Sequence, residues 1–147
     1  MLPELQDEIK VEIGQISKLL SDFSPLILQS KTSLPDTIEK TALAGMLHSF
    51  YNGIENILKR AYIYKYNTSP KGESWHVTLL QKMTKTNENP EGVLSEDLRI
   101  KLKIYLEFRH VFRHAYSFDL QWKKLAPLVN NCEEVFNQLQ KEIKVSI

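Results

Sequence analysis

One cysteine, Cys132, stands in 147 residues, so the chain can form no intrachain disulfide. A lone thiol without spaced Cys or His companions makes no zinc site either. Its neighbours Val129, Val135 and Phe136 read as the setting of an inert, half-buried thiol rather than a nucleophile. With 5 glycines and 6 prolines the chain has too few turn formers for an all-β design, and strand-like alternation is absent. No run approaches the roughly 18 uninterrupted apolar residues of a membrane span. The start, Met1-Leu2-Pro3-Glu4, lacks the basic and apolar regions of a secretory leader, so a cytoplasmic protein with no membrane partner is expected. There is no glycine-rich phosphate loop, which leaves a nucleotide-binding enzyme unsupported. No metal site and no cofactor are expected.

What is present points to one soluble helical domain spanning 1–147. A chain of this length buries roughly 70% of its unfolded surface, and 42% hydrophobic with 25% charged residues is an ordinary globular balance. The net charge of +1 gives no global pull toward nucleic acid. Its distribution is uneven, because seven basic residues face only Glu107 and Asp119 between Arg99 and Lys124. Such a segment suits a phosphate backbone or, equally, a solvated helix face.

Apolar periodicity predicts the elements. Leu5, Ile9, Ile13, Ile16, Leu20 and Phe23 form a first amphipathic helix, and Ser24, Pro25, Ser30, Thr32, Ser33 and Pro35 read as a linker. Asp36 with Glu39 makes a capping box for a second helix reaching Tyr66, whose broad stripe runs from Ile38 through Met46, Phe50 and Ile54 to Ala61. Ser74 is placed to cap a short helix over Trp75 to Met83, and a polar insert follows over Thr84 to Gly92. Ser95 opens a fourth helix with a regular core stripe of Ile100, Ile104, Phe108, Val111, Ala115 and Phe118. A last helix, started or broken near Pro127, carries Leu128, Cys132, Val135, Phe136, Leu139 and Ile143. The expected fold is an all-α, up-and-down bundle of four long helices plus a short one.

Glu107 to Tyr116 gathers two arginines, two histidines and a tyrosine just beyond that core stripe. On an ideal helix Arg113 lies about 40° and Tyr116 about 20° from Arg109, while His110 and His114 lie about 100° and 140° away. Arg109, Arg113 and Tyr116 are therefore expected to point away from the core. Leu102, Tyr105 and Leu106 continue that side as a sticky face, and a symmetric homodimer is the economical way to cover it.

Arg109 followed by polar His110, three residues and His114 resembles the Arg-x4-His signature of the HEPN superfamily. Tyr116 extends it to the Arg-x4-His-x-Tyr form of the HepT-like toxins of HEPN/MNT toxin–antitoxin pairs. Ser74-Trp75-His76-Val77-Thr78-Leu79-Leu80 is similar to a segment of the same branch, and with the helix order the likeness covers nearly the whole chain. It implies a HEPN-like fold and metal-independent cleavage of RNA, mRNA or tRNA. Arg109 and His114 would be catalytic, Arg109 holding the phosphate and His114 moving protons. His110, Arg113 and Lys103 would steer RNA. It also implies a separate nucleotidyltransferase antitoxin that places AMP on Tyr116, since this chain has no nucleotidyltransferase signature of its own. Because Arg109 and His114 lie about 140° apart in projection, they meet one phosphate only if the helix distorts or two protomers contribute, and the second is preferred.

Without the resemblance, two Arg-His pairs on a helix are more often surface salt-bridge partners. Trp75 and His76 read as a packing anchor and a helix-end hydrogen bond rather than as catalytic groups, and Tyr62, Tyr64 and Tyr66 as packing aromatics before base-stacking ones. The rival function is a non-catalytic helical module partnering a nucleotidyltransferase.

Overall fold

The computed structural model describes residues 3–116 and 119–146, with side chains to residue 144. Five α-helices follow one another among these residues: α1 (Pro3–Ser30), α2 (Thr37–Tyr66), α3 (Trp75–Lys82), α4 (Glu96–His114) and α5 (Trp122–Ser146). Four are long and one is short, as expected of a HEPN-like bundle, and no strand is present among the described residues. α2 touches every other helix, which is why its apolar face is so broad. Leu43, Met46, Leu47, Phe50, Tyr51, Ile54, Ile57 and Leu58 are all buried on it, whereas Ile38 in its first turn is exposed.

Local chemistry sets the helix ends. Asp36 accepts from Glu39 N while Glu39 Oε1 accepts from Asp36 N, the reciprocal box that starts α2. Ser95 Oγ accepts from Leu98 N to start α4, and Glu142 of α5 holds both Ser95 N and Ser95 Oγ. Ser74 precedes α3 but makes no side-chain cap bond. The insert after α3 is tied down through its backbone. Lys85 N donates to Leu94 O, while Val93 N and Leu94 N both donate to Met83 O.

The structure corrects three further expectations, on where helices begin, end and face. α1 does not stop at Phe23; it runs through Pro25 to Ser30, because Leu26 and Ile27 still pack on the core and offset the backbone bond that a proline removes. α5 starts at Trp122 and carries Pro127 within it. The third concerns α4, where Phe108 of the expected stripe does pack on the core but Ile100, Ile104 and Val111 do not. Its buried residues are Leu98, Leu102 and Tyr105, with Leu106, Phe108 and Phe112 packed against the core. Ile100, Ile104 and Val111 are about half exposed, at 52%, 50% and 52%, while Phe118 lies outside the described residues. Both sides of α4 are apolar at helical spacing, so periodicity alone could not choose between them. Polar satisfaction chooses instead: turned inward, Tyr105 donates its hydroxyl to Leu128 O at 2.8 Å, and Arg109 finds partners on α2 and α3.

Candidate functional site

α3 and α4 enclose an open cleft of about 510 Å³. Of the residues singled out from the sequence, Lys103, Arg109, His110, Arg113 and His114 all line it, with Glu73, His76 and Glu107 among the other walls. Its fixed charges are three cations against two carboxylates, joined by three imidazoles. Arg109 and His114 thus share one cleft of one chain, although ideal projection sets them far apart on α4.

Arg109 is not directed outward. It is partly buried, on the same side of α4 as Leu102 and Tyr105, which belong to the core and not to an outer sticky face. Its Nε donates to Oδ1 of Asn52 at 3.1 Å, and its Nη1 lies 3.2 Å from both ring nitrogens of His76. His76 in turn meets Oε2 of Glu55 through Nδ1 at 2.7 Å. Asn52 of α2 and His76 of α3, the latter held by Glu55 of α2, therefore fix the guanidinium before any ligand arrives, leaving further N–H donors for an anion.

The other cationic groups are more open. Lys103, His110, Arg113 and His114 are exposed, and the rings of His110 and His114 lie 4.5 Å apart, one turn along the helix. α4 ends at His114, and Ala115 leaves it with extended backbone. Tyr116 sits beyond the helix at 73% exposure, so helical projection does not place it. It follows the cleft residues in the chain without lining the cleft.

Cys132 is fully buried rather than half-buried, and its Sγ donates to Val129 O. Burial pushes its thiol up to about 11, which keeps it protonated and unreactive at neutral pH. Among the described residues no three His, Cys, Asp or Glu side chains gather as a metal site, and no helix is long and apolar enough to cross a membrane.

Asn52, Glu55 and the position of His76 within the cleft are not evident from the spacing of residues in the sequence. The signal was faint: Glu55 is a carboxylate between Ile54 and Ile57 on an otherwise apolar face, and a buried charge of that kind requires a partner. His76 does make the hydrogen bond expected of it, but the acceptor is on α2 and not at its own helix end.

The chain matches the HepT-like protein family over residues 42–146, from the second turn of α2 to the end of α5. Comparison with curated proteins and with solved structures gave no match. The matched span contains the cleft, the Arg109 clamp and Tyr116, and four of the five helices of the bundle that frames them; on that match the chain belongs to the HepT-like family of HEPN-type proteins.

Proposed function

We propose that the chain is the toxin of a HEPN/MNT toxin–antitoxin pair, an endoribonuclease that cleaves single-stranded or loop RNA without a metal ion. The observation that carries this reading is the open basic cleft in which Arg109 and His114 stand together with Lys103, His110 and Arg113. Cleavage by RNA's own 2′-hydroxyl needs proton transfer at two oxygens and positive donors for the charge that gathers on phosphorus-bound oxygens. His114 moves a proton. Arg109, already held by Asn52 and His76, presents its remaining N–H groups to the scissile phosphate, and the exposed cations of α4 carry the flanking backbone.

A homodimer belongs to the proposal. The half-exposed stripe of Ile100, Ile104 and Val111 on α4 is the face it would cover, in place of the Leu102 and Tyr105 side. The antitoxin is a separate nucleotidyltransferase that transfers AMP to the hydroxyl of Tyr116. Tyr116 is exposed enough to be reached, and a nucleotide attached there adds negative charge and bulk close to where RNA enters, which blocks binding.

The test incubates the purified chain with total RNA and tRNA in EDTA, beside Arg109→Ala and His114→Ala. Cutting by the parent and a loss of about 10²-fold or more in each variant is the expected result. RNA left intact by the parent, or cut equally by all three proteins, would instead favour a non-catalytic partner of a nucleotidyltransferase.

A further inference from the structure

Transesterification by a 2′-hydroxyl uses one group that takes a proton and one that gives it, and His114 is one group. The structure holds a second imidazole, that of His76, in a fixed orientation. The side chain of Glu55 is 7% exposed, and its Oε2 lies 2.7 Å from His76 Nδ1. A carboxylate buried that deeply requires a donor, and the Nδ1–H supplies it. In the neutral ring this fixes the tautomer with the lone pair on Nε2.

The ring is held on its faces as well. The Trp75 indole stacks against it with centroids 3.7 Å apart at 29°. Nη1 of Arg109 is 3.2 Å from Nδ1 and 3.2 Å from Nε2. A donor in the plane of an imidazole can reach only one of its nitrogens, so equal distances put the guanidinium nitrogen over the ring face. Trp75 and Arg109 cannot share a face at these separations, so the imidazole is clamped between them. The in-plane lone pair of Nε2 is left for another partner, on a ring that lines the same cleft as His114.

We propose that His76, oriented by Glu55, is the second proton-transfer residue of this site and acts as its general base, with His114 as the acid. The inference rests on the nuclease reading. Nε2 of His76 takes the proton of the 2′-hydroxyl as the 2′-oxygen forms its bond to phosphorus. The bond from phosphorus to the 5′-oxygen breaks, and protonated His114 gives its proton to that oxygen. The products are a 2′,3′-cyclic phosphate and a 5′-hydroxyl end, and the two imidazoles recover their starting states by exchange with water. One protomer then carries the acid, the base and the phosphate clamp.

Two RNA oligonucleotides test the assignment, one ordinary and one with sulfur replacing the bridging 5′-oxygen at the cut site, because a thiolate departs without being protonated. On ordinary RNA, His76→Gln, Glu55→Gln and His114→Ala all lose turnover, the two histidine variants by about 10²-fold or more. On the sulfur RNA, His114→Ala is restored toward the parent rate while His76→Gln stays impaired. RNA affinity stays within a few-fold of the parent, and helical circular dichroism and melting confirm that each variant is folded. Parent-like turnover by folded His76→Gln overturns the assignment, and so does its rescue by sulfur. A parent chain that cuts neither oligonucleotide overturns the nuclease reading itself.

Discussion

His48 on α2 stacks on Phe112 of α4 with centroids 5.0 Å apart, and its Nδ1 is buried with no hydrogen-bond partner among the described residues. Burial, and then the nearby charges of Arg109 and Arg113, hold its pKa below the ordinary 6.5. The folded protein therefore resists protonating this ring, whereas the unfolded chain takes up the proton at about pH 6.5. Stability from this residue is fully present above that pH and is lost as pH falls through the lower folded value. The melting temperature is expected to drop between pH 8 and pH 5, and the drop should shrink in His48→Phe, which keeps the stack and cannot titrate. An unchanged drop would remove His48 as its source. The same packing explains why the Arg109 clamp escaped sequence reasoning. Asn52, Glu55 and His76 come from two other helices and have no spacing relation to Arg109 until the bundle forms.

At the level of elements, the loop joining α3 to α4 is built so closely that Gly92 is obligatory. A Cβ there would overlap the backbone of Thr84 and Lys85, where Lys85 N and Leu94 O make a 2.7 Å bond. Gly92→Ala is expected to cost about 1–3 kcal/mol in denaturant unfolding, and a midpoint equal to the parent's would contradict this close approach. Helix starts at Asp36 and Ser95 were legible in sequence because capping is local, and so was the α5 stripe from Leu128 to Ile143, which has only one apolar face. α4 was legible as a helix but not in its orientation. Its two apolar sides compete, and the winner is decided by Tyr105 and Arg109 finding acceptors at Leu128 and Asn52. Assigning polar groups outward fails where a long side chain reaches a partner across the core. Pro25 misled for a related reason, since the packing of Leu26 and Ile27 overrides a local break.

For the molecule as a whole, α4 serves two surfaces at once. Leu98, Leu102 and Tyr105 hold it in the bundle, while Ile100, Ile104 and Val111 remain on its outer side. Ile104→Glu is therefore expected to leave the single-chain fold within about 0.5 kcal/mol, as for exposed substitutions generally, and, under the proposed homodimer, to shift sedimentation from dimer toward monomer. Dimers that persist in that variant would place the contact elsewhere. In the nuclease reading, RNA supplies its own nucleophile within the cleft of Arg109 and His114. This is tested most directly by giving the parent chain, in EDTA, two otherwise identical RNA oligonucleotides, one of which has a single 2′-deoxy residue immediately 5′ of the cut. The all-ribose strand is expected to be cut to a 2′,3′-cyclic phosphate end and the substituted strand to resist at that bond; equal cutting of both would rule out attack by the 2′-hydroxyl.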